Sequence, residues 1–194
     1  MSAAVGLRVT KRFRADAQLG AVVMEFVLHN GAAAAASWSP WQISRVPAGG
    51  LTFFPTGSKT GARTELSVQQ SAGISWYAHD FAAIGAADGE KYVADGAEGW
   101  LAHAGGGLLL LKSFADVAPD AQHASEGEIE IYANKADSAA LAYVEVECQG
   151  PLTAIAPGGT LAWTVTWYLR ELPGDVTLDV GSESLAAFAR GLVQ

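Results

Sequence analysis

Apolar and polar residues alternate with a period of two along most of this chain. The clearest run is 161–169: Leu161, Trp163, Val165, Trp167 and Leu169 share one face, and Thr164, Thr166 and Tyr168 share the other. Such alternation predicts a β-strand with one covered face, and it puts Trp163 and Trp167 in the core. Val22, Met24, Phe26 and Leu28 predict a second strand, with Glu25 and His29 opposite, and Leu7, Val9 and Phe13 a third. Shorter strands are expected after Pro40, at 51–54, 64–69, 73–80, 91–94, 100–102 and 108–114, and at 127–134 with Ile129, Ile131 and Ala133 inward and Glu128, Glu130 and Tyr132 outward. Asn30-Gly31, Pro47–Gly50, Gly105–Gly107 and Pro157–Gly159 supply the turns. The last of these predicts that the strand before it and the 161–169 strand are neighbours or nearly so. One helix is expected, at 182–193, with Ser182 as N-cap and Leu185, Phe188, Ala189 and Leu192 on one stripe.

The segment Tyr143-Val-Glu-Val-Glu-Cys-Gln-Gly-Pro151 is the most informative. Tyr143, Glu145, Glu147 and Gln149 fall on one face, and Val144, Val146 and Cys148 on the other. Two carboxylates, an amide and a phenol in a row either face water or line a pocket for something rich in hydroxyls.

Half of the 194 residues are apolar and 16% are charged, which is the balance of a globular chain. Strands at short intervals with turns between them predict an all-β fold, a sandwich or barrel of antiparallel sheet, and a single domain over residues 1–194. The net charge of −8 disfavours nucleic acid and anionic membranes; the one basic cluster, Arg8, Lys11, Arg12 and Arg14, is too local to reverse it. The lone cysteine, Cys148, forms no intrachain disulfide and is expected buried as a small hydrophobe. With no apolar leader and no run of membrane-spanning length, the expected setting is cytoplasmic.

Phosphate-binding Gly loops, HExxH and the Gly-x-Ser-x-Gly elbow are absent, and the histidines stand apart at 29, 79, 103 and 123. No metal site and no cofactor is therefore expected. His103 and His123 are expected in solvated loops.

Several stretches resemble a known family. They are Trp38-Ser-Pro-Trp-Gln-Ile-Ser-Arg-Val-Pro-Ala-Gly-Gly50, Leu51-Thr-Phe-Phe-Pro55, Gly99-Trp-Leu-Ala102, Leu109-Leu-Leu-Lys-Ser-Phe114, Tyr143–Pro151 and Trp163-Thr-Val-Thr-Trp-Tyr-Leu169. In this order they are similar to the galactose mutarotase-like proteins of the DUF4380 type. The resemblance implies a large antiparallel β-sandwich that binds a sugar. In aldose 1-epimerases of that superfamily a glutamate takes the proton of the anomeric hydroxyl and a histidine protonates the ring oxygen. Glu147-Cys-Gln149 matches the Glu-x-Gln of the base. The strand that carries the acid in those enzymes reads Trp38-Ser-Pro-Trp-Gln-Ile here, with Trp41 nearest the histidine. An indole does not act as a general acid, but its face stacks on a sugar ring. The chain also starts at what looks like the middle of the family domain, and missing strands would leave an unpaired border that favours a homodimer.

The resemblance thus implies Glu147 as base; His29 and His79 are the imidazoles left to take the acid role from elsewhere, with His79 the candidate, and Trp38, Trp41, Arg45, Lys112 and Gln149 are the candidates around a small-molecule carbohydrate. Arg45 shares a face with Trp41 and Ile43. Lys112 interrupts an apolar strand face and needs a partner or a cavity. Three functions follow: an aldose epimerase, a non-catalytic sugar-binding module on the same scaffold, and an interaction protein that dimerises through its open border.

Overall fold

A computed structural model describes residues 5–85 and 89–193, with backbone alone at 60–62. The strands in chain order are β1 (Leu7–Asp16), β2 (Ala21–Asn30), β3 (Ala36–Trp38), β4 (Trp41–Pro47), β5 (Leu51–Thr64), β6 (Gln69–Ser71), β7 (Ile74–Ala78), β8 (Glu90–Gly96), β9 (Trp100–Gly105), β10 (Leu108–Phe114), β11 (Ile129–Ala133), β12 (Tyr143–Gln149), β13 (Thr153–Ile155) and β14 (Thr160–Glu171). One α-helix, α1 (Glu183–Arg190), follows them.

All pairings are antiparallel. The main sheet runs β1-β2-β14-β10-β9-β5-β8-β11-β12-β4, with β6 and β7 branching from β5, and β3 and β13 form a separate pair. The sheet becomes a sandwich at β5. Leu51–Pro55 of that strand pairs with β7, and Leu51–Phe53 also with β9. Beyond Thr56 the strand pairs with β8 instead, and its register shifts between Thr56, Thr60 and Thr64. Bulges bend and twist a strand, so β5 curls the sheet over on itself. Gly57 is required at the bend, because a Cβ there would lie 2.2 Å from Asp95 Oδ2.

The curl encloses one core between its halves. Met24, Phe26, Leu101, Phe114, Trp163 and Val165 face Ile129, Ile131, Val144, Val146 and Cys148. A second core lies on the outer side of the first half, where Phe53, Trp76, Trp100, Leu109, Leu111 and Tyr168 pack under Leu185, Ala186 and Ala189 of α1. Phe53 stacks on Trp76 with centroids 4.9 Å apart and meets Trp100 edge-on. β10 is thus covered on both faces, which explains its nearly unbroken apolar run.

Three expectations need correction. β12 and the 161–169 strand (β14) are not neighbours: β12 lies between β11 and β4, whereas β14 lies between β2 and β10 in the other half. The turn at 157–159 carries the chain across the sandwich rather than back along one sheet. Within β14 the covered face changes sides, since Trp163 and Val165 enter the interlayer core while Tyr168 is buried beneath α1 and Leu169 is 62% exposed. His103 is buried on β9, not solvated, and its Nδ1 lies 2.9 Å from Thr52 Oγ1.

The helix begins as its sequence predicts. Ser182 Oγ accepts from the Leu185 N–H at 3.1 Å. Ser182→Ala is expected to cost about 1 kcal/mol, read from the denaturation midpoint. An unchanged midpoint would show that the apolar stripe alone holds α1.

Candidate functional site

Glu147 sits on β12 directly across from Glu130 on β11 and Ile43 on β4. Paired residues of an antiparallel ladder share a face, so Glu130, Glu147 and Ile43 all lie on the outer side of the second half, away from the core. Glu130 was expected outside and in solvent. It is on that side, yet it is 0% exposed, and Glu147 is 1% exposed.

The ammonium of Lys91, on β8, holds these carboxylates together. Lys91 Nζ meets Glu130 Oε2 and lies 3.5 Å from Glu147 Oε1. Gln149 Nε2 donates to Glu130 Oε1 at 2.8 Å. Lys91 also lies 5.2 Å from the centre of the Trp41 ring, a cation–π distance. Burial raises the Glu147 pKa, while Lys91 and the neighbouring Trp41 oppose the rise. Burial likewise raises Glu130 against the pull of Lys91. One ammonium balances one carboxylate, so near neutral pH the pair retains a proton. Glu147 Oε2 is shut off from solvent and makes no hydrogen bond among the described residues.

Beside this cluster opens a hollow of about 300 Å³, walled by Trp38, Trp41, His123, Glu126, Gln149 and Leu152. Trp41 is 45% exposed, so much of its indole is available. Gln149 is two residues from Glu147 on the same strand face, roughly 7 Å along β12. The Ser125 N–H donates to His123 Nδ1 at 3.3 Å. A backbone N–H only donates, so Nδ1 is an acceptor and the imidazole proton lies on Nε2.

Of the residues singled out in the sequence, Trp38, Trp41 and Gln149 line the hollow, and Glu147 stands behind it. Arg45 lies on the same face, but its Nε donates to Glu145 Oε1 at 2.8 Å and its guanidinium stacks on Tyr143 at 4.3 Å. His79 lies elsewhere. Its Nδ1 accepts from the Gly49 N–H at 3.1 Å, and Gly49 lies two residues past Pro47, which pairs with Tyr143 at the far end of β12. Four residue steps along the strand, roughly 13 Å, separate Tyr143 from Glu147. Lys112 is in the interlayer core, where its Nζ donates to the Val146 carbonyl and burial drives its pKa down to about 8. Cys148 lies there too, 0% exposed, with its thiol pushed up to about 12 by burial.

Lys91, Glu130, Glu126 and His123 escaped the sequence reading. Glu130 is visible only through its register with Glu147, and Lys91 through the pairing of β8 with β11. A third buried carboxylate, Glu128, is satisfied by the backbone: it accepts from Val117 N–H at 2.7 Å and Gly96 N–H at 3.1 Å. Burial nevertheless raises it to about 8. Among the described residues no three metal-ligating side chains converge, and no helix is long and apolar enough to cross a membrane.

These groups set a pH profile. Folded Glu128 and Glu130, raised to about 8 by burial, hold protons that the unfolded chain releases above the ordinary carboxyl range, so they make stability fall as pH rises toward about 8, and the upward shift of Glu147 acts in the same direction. His103, driven to about 4 by burial, and His79, also lowered by burial, act oppositely. The unfolded chain takes up their protons first, and stability is lost as pH drops below 6.5. The two effects offset one another from about pH 5 to 6.5, leaving a net fall from 6.5 to 8. Thermal melting at constant ionic strength reads this directly. A midpoint that rises between pH 6.5 and 8 would contradict it.

The fold matches solved structures. A candidate aldose 1-epimerase from Klebsiella pneumoniae subsp. pneumoniae MGH 78578 aligns over 100% of this chain with a TM-score of 0.58 and 11% identity. One from Escherichia coli K12 aligns over 86% with a TM-score of 0.54 and 14% identity. A TPR-domain containing protein from Parabacteroides distasonis ATCC 8503 aligns over 88% with a TM-score of 0.55 and 14% identity. The chain spans 52%, 61% and 31% of those structures respectively. At such identities the likeness concerns the fold, a mutarotase-like β-sandwich. No curated protein matches the sequence. Residues 1–170 match the profile described as "Domain of unknown function (DUF4380)", and the chain belongs to that family.

Proposed function

We propose that this chain binds a carbohydrate in the hollow beside β12. The observation that carries the reading is the wall itself: two indoles, one of them half exposed, beside an amide, a carboxylate and an imidazole. An indole face covers the apolar C–H side of a sugar ring. Gln149, Glu126 and the Nε2–H of His123 offer both donors and acceptors to its hydroxyls. A neutral sugar also meets no repulsion from a chain of net charge −8. Tryptophan fluorescence during titration with free aldoses and short oligosaccharides tests this. A saturable change is expected, with Trp41→Ala weakening binding about 10-fold or more. A flat titration across the panel, with protein that remains folded, would sink the reading.

A second reading, aldose epimerisation, is favoured by the buried, unpartnered Glu147 Oε2. Glu147 would take the proton of the anomeric hydroxyl, and a solvent water would protonate the ring oxygen as the ring bond breaks, with the neutral His123 donating a hydrogen bond to that oxygen through Nε2–H. Reclosure from either face of the aldehyde returns both protons. Glu147 is closed off at rest, so this requires Lys91 and Trp41 to shift aside when sugar enters. The epimerisation likeness in the neighbouring structures extends to this chain only as part of this proposal.

A further inference from the structure

A different end of the sandwich is left unfilled. The registers set Leu169, Leu110, His103 and Thr52 side by side across β14, β10, β9 and β5. This row faces Val46 and Pro47 from the other half, and a cavity of about 450 Å³ lies between them. No side chain enters from Gly49 or Gly106, where a Cβ would meet nothing within 4 Å. Gly50 has no room for one: its Cβ would lie 2.2 Å from Ala104 O, which fixes the β4–β5 corner against β9 and holds the cavity open. Leu108 and Leu169 at the mouth are 43% and 62% exposed.

Side-chain polarity here is confined to one group. Of the lining side chains only His103 is ionisable, and it is 6% exposed. Its Nδ1 is engaged by Thr52, and its Nε2 makes no hydrogen bond among the described residues. Nε2 lies on the cavity side, 3.3 Å from where a Cβ on Gly105 would sit. Burial holds the ring neutral at pH 7. Ligand cavities of this size are mostly apolar with a few placed polar groups. A neutral imidazole in apolar surroundings repels no uncharged partner but gives a carboxylate no counter-charge. Whichever tautomer Thr52 selects, a hydroxyl complements Nε2 as donor or as acceptor.

We propose that this cavity is a second ligand site, for an uncharged apolar molecule bearing one hydroxyl group, the chain lying along Val46, Pro47, Leu108, Leu110 and Leu169 and the hydroxyl meeting His103 Nε2. The site is independent of the carbohydrate reading, because Trp38 and Trp41 take no part in it.

The experiment titrates methyl-labelled protein with 1-octanol and with octanoate, following the leucine methyl resonances. Expected are saturable, single-site shifts at Leu108, Leu110 and Leu169 with 1-octanol, and at least 10-fold weaker binding of octanoate. Leu169→Trp, at an exposed position that the fold does not rely on, narrows the mouth and is expected to weaken 1-octanol at least 10-fold. His103→Phe is expected to weaken it about 5-fold. Absence of saturable shifts in the wild type, octanoate binding as tight as 1-octanol, or an unaltered affinity in Leu169→Trp would each overturn the proposal.

Discussion

Replacing Lys91 with methionine is expected to lower the unfolding free energy by about 4 kcal/mol at pH 7 and by about 1 kcal/mol at pH 5. Glu130 and Glu147 are both buried, and Lys91 is the cation between them. Without it the carboxylate still ionised escapes its desolvation by taking up a proton. That costs about 4 kcal/mol at pH 7 for a group whose ordinary pKa is about 4.3, and about 1 kcal/mol at pH 5. Urea denaturation at the two pH values separates this from simple loss of packing against Trp41. An equal loss at both would mean that the methylene stem, not the charge, is what matters.

Glu147→Gln is the matching test of chemistry. On the epimerisation reading, polarimetry of a freshly dissolved aldose should show the wild type speeding its equilibration, and the amide variant slower by about 100-fold or more, since positioned proton transfer contributes about 10²–10⁴-fold. The amide keeps the shape and removes the base. Wild-type protein that binds sugar but leaves equilibration unaltered would retire the catalytic reading and leave the binding one standing. His123→Ala should then slow turnover more than it weakens the Trp41 fluorescence response, because its Nε2–H meets the ring oxygen as that oxygen gains charge.

Much of the fold is readable in the sequence, because period-two alternation is local. β2, β12 and β14 stand where the pattern puts them, and α1 starts at its serine cap. The pattern fails where a tertiary partner covers the second face. Tyr168 reads as solvent-facing until α1 lies over it, and His103 reads as a loop residue until β9 is extended between β5 and β10. The candidate site was half readable. Glu147 and Gln149 share a face by strand periodicity alone and Trp41 joins them through the family resemblance, whereas Lys91 and Glu130 join only through strand order and register, which no local pattern encodes. Lys112 illustrates the converse. An ammonium on an apolar face predicts a special environment, and it has one, but the partner is a backbone carbonyl across the core rather than a ligand.

The placement of Cys148 gives the chain a chemical stopwatch. It is the only thiol in the sequence, it lies between the halves of the curled sheet, and burial suppresses its thiolate. Alkylating reagents act on the thiolate, so labelling must wait for the halves to part. The time course of modification by iodoacetamide therefore counts openings of the whole sandwich, with no engineered probe and no denaturant.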